Sequence, residues 1–212
     1  LQETAYPTGT VQVTLSATGS PTYEISEDVA WDHIAFTDEL RALAQRTDAV
    51  CFGSLAQRHE ASRTAILSFL KAMPEGSLRI FDINLRLQYY TRETIHTSLE
   101  HADILKLNDE EVPIVARLLG LEGDMEAVCR QVLTDYSLRA VILTRGADGC
   151  SIYHEKGSVF HPSACIEVAD TVGAGDSFTA GFVSALLAGR SHLEAVALAT
   201  RVAAFVCSHH GA

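Results

Sequence analysis

Residues 8–25, TGTVQVTLSATGSPTYEI, set Val11, Val13 and Leu15 between polar neighbours, turn at Gly19-Ser20-Pro21, and resume with Tyr23 and Ile25. A period of two predicts a β-hairpin with one buried face. From about Thr37 the pattern changes. Short apolar runs, AVCFGS, LRIFDIN, ADILKLN and RAVILTRG, read as buried strands, and the stretches around 37–46, 58–72, 91–99, 109–119 and 124–136 repeat with helical spacing. Strands alternating with helices imply right-handed crossovers and a mostly parallel sheet covered on both faces. GCSIYHEKGSVFHP then reads as a second hairpin, followed by helices near 174–188 and 192–208. The expected fold class is therefore α/β: a doubly wound, mostly parallel sheet with helices on both faces, plus a small β appendage. Residues 1–30 form the hairpin segment and 31–212 the body.

Composition narrows the class of partner. A chain of 212 residues, 47% hydrophobic and 20% charged, is long enough to bury a substantial core. Its net charge of -11 repels phosphate backbones and anionic lipid. A small molecule or another protein is expected, not nucleic acid or a membrane. No apolar run reaches the roughly 18 residues of a membrane span, and LQETAYPTG lacks the basic and apolar regions of a signal peptide. Cys51, Cys129, Cys150, Cys165 and Cys207 are odd in number and scattered, as expected of free thiols in a reducing compartment, so the cytoplasm is expected.

In open α/β sheets ligands sit beyond the carboxyl ends of the strands. Four polar clusters fall there. In DTVGAGDSFTAGF, Gly173 and Gly175 permit a tight turn, and the following helix directs free N–H groups at whatever the turn holds. Asp176 then faces the same point, placed to accept a proton from a hydroxyl attacking phosphorus. The plain structural alternative is a helix cap behind a glycine loop. LNDEEV offers Asn108 and Glu111, oxygen donors suited to a magnesium and phosphate station, or equally to a reciprocal helix cap. LTRGADG supplies Thr144, Gly146 and Gly149 at a strand tip, able to wrap nucleotide phosphates or to make an ordinary turn. FDINLR alternates Asp82, Asn84 and Arg86, which point one way if the strand continues. Arg86 suits a phosphate or carboxylate. Other chemistries lack their motifs: no G-x-G-x-x-G fingerprint, no P-loop, no H-E-x-x-H and no hydrolase elbow around Ser54.

DINLR, NDEE, TRGADG and DTVGAGDSFTAGF, in that order, resemble the ribokinase-like (PfkB) sugar kinases, and the wording of the hairpin and of FDINLR is most similar to the fructokinase branch. The resemblance implies ATP-dependent phosphorylation of a sugar hydroxyl, fructose first, with a 2-keto-3-deoxygluconate or nucleoside kinase as alternatives. It makes Asp176 the base, with Gly173, Ala174 and Gly175 forming the anion hole. Asn108 and Glu111 govern Mg²⁺ and phosphate, Glu111 and Asn108 reaching the metal through water. Thr144, Gly146 and Gly149 form the nucleotide-side turn, and Asn84 and Arg86 lie near substrate. Asp170 and Thr171, closed by Ser208 and Gly211, match a loop for a monovalent cation such as K⁺. The hairpin matches a lid that closes over sugar and pairs with a second subunit's lid, implying a homodimer. Two departures stand out: Thr200 replaces the asparagine often found near adenine, and the family's amino-terminal part, with its early sugar-binding Asp, is absent from the chain. A non-catalytic nucleotide-binding or scaffold relative is the rival of another class.

Overall fold

The computed structural model describes residues 2–15 and 21–211. Two strands, β1 (Val11–Leu15) and β2 (Pro21–Ile25), pair antiparallel as a separate sheet, Val11 opposite Ile25 and Val13 opposite Tyr23. Pro21 opens β2, and the expected turn residues Gly19 and Ser20 lie outside the described residues. Among the described side chains the buried face expected of this hairpin is not found: Val11, Val13 and Tyr23 are each more than half exposed, at 54%, 54% and 52%, while Ile25 is buried. The alternation specified a flat apolar face but not what would cover it.

The body follows the order α1 (Asp38–Ala44), β3 (Ala49–Phe52), α2 (Glu60–Ala72), β4 (Leu78–Asp82), α3 (Arg92–His101), β5 (Ile104–Asn108), α4 (Val112–Leu119), α5 (Met125–Asp135), β6 (Ala140–Thr144), β7 (Cys150–His154), β8 (Gly157–His161), α6 (Ala174–Leu187) and α7 (His192–Cys207). The six strands β3 to β8 form one mixed sheet in sequential order. β3 to β6 are parallel, and β7 and β8 return antiparallel, as the second hairpin.

Strand alternation divides the core in two. Phe52, Phe81, Leu105, Leu107, Val141 and Leu143 face α1 to α5, while Ile80, Ile104, Ala140, Ile142 and Ile152 face α6 and α7. Both faces are therefore covered, as the apolar runs predict. Local signals set the helix ends. Thr37, Thr91, Asp124 and Ser191 accept hydrogen bonds from backbone N–H groups of the first turns of α1, α3, α5 and α7, and Gly120, at φ 73°, ends α4 in the left-handed region. α6 and α7 approach closely because Gly181 has no side chain: a Cβ there would lie 3.0 Å from Ala199 Cα. Phe182 of α6 is fully buried between the helix pair and the sheet; truncating such a phenylalanine to alanine costs about 3–5 kcal/mol. All five cysteines are free thiols, and burial pushes those of Cys129 and Cys150 up to about 12. Among the described residues no helix is long and apolar enough to cross a membrane.

Candidate active site

β4, β5 and β6 end at Asp82, Asn108 and Thr144, on one rim of the sheet, with Asn108 and Thr144 in register. α6 brings its amino terminus to the same rim from the other face. Gly173 precedes the helix at φ 77°, a conformation that favours glycine. The N–H of Ala174 donates to Thr171 O at 3.2 Å, so this amide, expected in the anion hole, is already engaged. Among the described residues the N–H groups of Gly173, Gly175 and Asp176 have no acceptor, and they supply the positive end of the helix.

The glycine turn separates two clefts. A cavity of about 290 Å³ is lined by Trp31, Cys51, Gly53, Ser54, Asp82, Asn84 and Asp176 among others. A larger cleft of about 580 Å³ is lined by Thr144, Gly146, Gly149, Thr171, Ala174, Gly175 and Thr200 among others. Asp176 thus opens on the small cavity, while the two residues before it line the large cleft. Gly149 cannot be replaced quietly: its φ is 88°, and a Cβ there would stand 2.4 Å from the carbonyl oxygen of His161. Thr200 Oγ1 is buried with no hydrogen-bond partner among the described residues.

A model of the pfkB family carbohydrate kinases matches residues 3–212. The chain belongs to that family. It is 30% identical over 186 residues to the uncharacterized sugar kinase PH1459 of Pyrococcus horikoshii, and 28% identical over 189 residues to fructokinase-1 of Zea mays. These matches cover 85% and 86% of this chain but only 56% and 57% of the relatives, so the chain spans little more than half of their length. The crystal structure of PH1459 in complex with ATP superposes with a TM-score of 0.83 at 26% identity, covering 99% of this chain and 68% of that one.

One reading of this pfkB-family rim needs correction, and two others gain structural detail. β4 stops at Asp82, and Asn84 takes φ 39°, so Asp82, Asn84 and Arg86 do not share a direction. Asp82 is buried, Asn84 lines the small cavity, and Arg86 is exposed with Nη1 donating to Leu85 O at 3.0 Å. A positive φ rotates the chain out of the pleat, which alternation in the sequence cannot reveal. Second, the capping alternative for Asn108 and Glu111 is fully formed. Glu111 N–H donates to Asn108 Oδ1 at 2.9 Å, and Glu111 Oε2 accepts from Asn108 N–H at 2.8 Å. Its other oxygen accepts from Leu85 N–H at 2.7 Å. Third, the cation loop is only partly assembled. Asp170 accepts from Val172 N–H and Gly211 N–H, which hold its carboxyl below the ordinary carboxylate range, whereas Ser208 Oγ donates back to Phe205 O. Thr171 turns to the large cleft instead.

Two side chains near the rim are not among the sequence-predicted site residues. Lys106, in the middle of β5, is buried and pairs with Asp82 at 2.6 Å. Thr179, one turn after Gly175, reaches the same Asp82 oxygen at 2.9 Å. The available signal was a charged residue inside the otherwise apolar run ILKL, since lysine is almost never buried without a partner. Glu111 lies near this pair. Burial, with Asp82 nearby, pushes its carboxyl above the ordinary glutamate value.

Proposed function

We propose that the protein containing this chain transfers the γ-phosphoryl group of ATP to a sugar hydroxyl, with fructose as the first substrate to test. One observation carries this reading. A single glycine turn walls both clefts, presenting Ala174 and Gly175 to the larger and the Asp176 carboxylate to the smaller. Donor and acceptor placed in the two clefts meet at that turn, and in-line transfer requires such a meeting.

Each residue then has a task. Asp176 accepts the proton of the attacking hydroxyl as its oxygen bonds to the γ-phosphorus and ADP departs. The free N–H groups of Gly175 and Asp176 hold the charge that grows on the transferred group. Thr144, Gly146, Gly149 and Thr200 line the cleft for the nucleotide. Asn84 borders the acceptor cavity, and Arg86 lies outside it, which favours an uncharged sugar over a keto-deoxy sugar acid. Glu111, buried with Asn108 beside it, offers oxygen donors suited to a nearby divalent cation reached through water. Mg²⁺ held there would neutralise charge on the ATP phosphates.

The exposed apolar face of Val11, Val13 and Tyr23 fits a lid that closes on a second copy, giving a homodimer. A monovalent cation at Asp170 and a cytoplasmic location complete the proposal. Coupled ADP release is measured on this chain and on the longest form of the protein, with Mg²⁺-ATP and fructose, 2-keto-3-deoxygluconate and nucleosides. Fructose-dependent turnover in the longer form supports the reading. ATP binding without turnover on any acceptor points instead to a non-catalytic relative.

A further inference from the structure

Lys106 lies directly behind the glycine turn. A Cβ built on Gly175 would stand 3.4 Å from its Nζ, so the ammonium abuts the backbone that presents the free N–H groups. Its side chain is 8% exposed. Among the described residues Nζ has one acceptor, Asp82 Oδ2 at 2.6 Å, although an ammonium carries three N–H donors. Thr179 Oγ1 lies 2.9 Å from the same carboxylate oxygen and 3.0 Å from Gly175 O, so the pair is strapped to the turn itself.

Burying such a pair is not a route to stability. Apolar side chains of similar volume usually serve a fold as well or better. Here a desolvated cation with spare donors pairs with Asp82 near Glu111 and abuts the turn that carries Asp176, amid negative charge that would otherwise repel a phosphate. We infer that Lys106 contacts the γ-phosphoryl group of bound ATP with its free N–H donors, while Asp82 and Thr179 hold it aimed through the gap that Gly175 leaves open. The inference rests on the phosphoryl-transfer reading for its consequence in catalysis, but it concerns binding of the terminal phosphate first.

The competing explanation is that Lys106 only neutralises Asp82. The test therefore removes the carboxylate before removing the cation. In the complete protein carrying Asp82→Asn, Lys106→Met is added, and dissociation constants for ATP and ADP are measured by calorimetry. A γ-phosphate contact predicts that ATP binding weakens about tenfold or more while ADP changes less than about twofold, the loss of one charge-assisted hydrogen bond. Equal ATP and ADP affinities before and after Lys106→Met would overturn the inference. Replacing both charges removes the buried-charge penalty, so the double variant is expected to fold, and a melting curve checks this. Lys106→Gln in the same background is the second variant and is read identically. With an active acceptor, kcat should also fall about 100- to 1,000-fold, as when one donor to a transition-state oxyanion is lost. Should the wild-type protein bind ATP yet turn over no acceptor, the transfer reading falls, and the ATP-against-ADP comparison still decides the role of Lys106.

Discussion

Glu111 Oε1 accepts a hydrogen bond from the backbone N–H of Leu85 at 2.7 Å, joining the end of one parallel strand to the turn that follows its neighbour. The other carboxylate oxygen accepts from Asn108 N–H. One buried side chain thus fixes two of the loops from which the rim is built.

Glu111→Gln leaves the donors of Leu85 and Asn108 competing for one amide oxygen. A loss of about 1–3 kcal/mol is expected from the unpaired N–H. The pH dependence carries a distinct signature. Burial raises the folded pKa of Glu111 above 4.5, so its contribution to stability is complete below that value and is lost as pH rises through the folded pKa. Urea midpoints between pH 4 and 7.5 should show that loss in the wild type and not in Glu111→Gln.

Arg58 and Asp32 form the opposite case. Arg58 Nε and Nη2 donate to the two oxygens of Asp32 at 2.8 and 2.7 Å, and Nη2 also meets Ser26 O at the base of the hairpin. The guanidinium packs on the rings of Trp31 and Tyr89. Although burial works against it, the bonds from Arg58 and Val29 hold the Asp32 carboxyl below 3.8, so this stability is present above that pH and is lost as pH falls through the folded value. Arg58→Met strands a buried carboxylate and should cost about 3–5 kcal/mol in chemical denaturation, whereas Arg58→Met with Asp32→Leu should recover most of it.

Asp176→Asn in the complete protein keeps the shape of the helix start and removes the proton acceptor. The expected result is a fall in kcat of about 100- to 10,000-fold with little change in ATP affinity. Unchanged turnover would assign the base elsewhere.

Gly149→Ala forces a Cβ to within 2.4 Å of the His161 carbonyl and 3.1 Å of Pro162 Cα, both backbone atoms. The turn must move, and it lines the larger cleft. ATP affinity should fall while binding at the acceptor cavity, which this residue does not touch, is retained; calorimetry with each ligand checks the split.

The sequence alone determined the order and type of the body's elements, because the parallel strands are short apolar runs and α1, α3, α5 and α7 carry their own caps. It also placed the polar clusters on one rim, since parallel strands joined by crossovers all end on the same side. Tertiary structure decided which members meet. The alternation of Asp82, Asn84 and Arg86 does not mark the positive φ at Asn84 that breaks their series. The contact of Lys106, Asp82 and Thr179 joins residues up to 97 positions apart, a relation carried by sheet register and helix docking. The hairpin shows the same limit from the other side. Its alternation made an apolar face, but whether that face is buried depends on a surface the alternation does not encode.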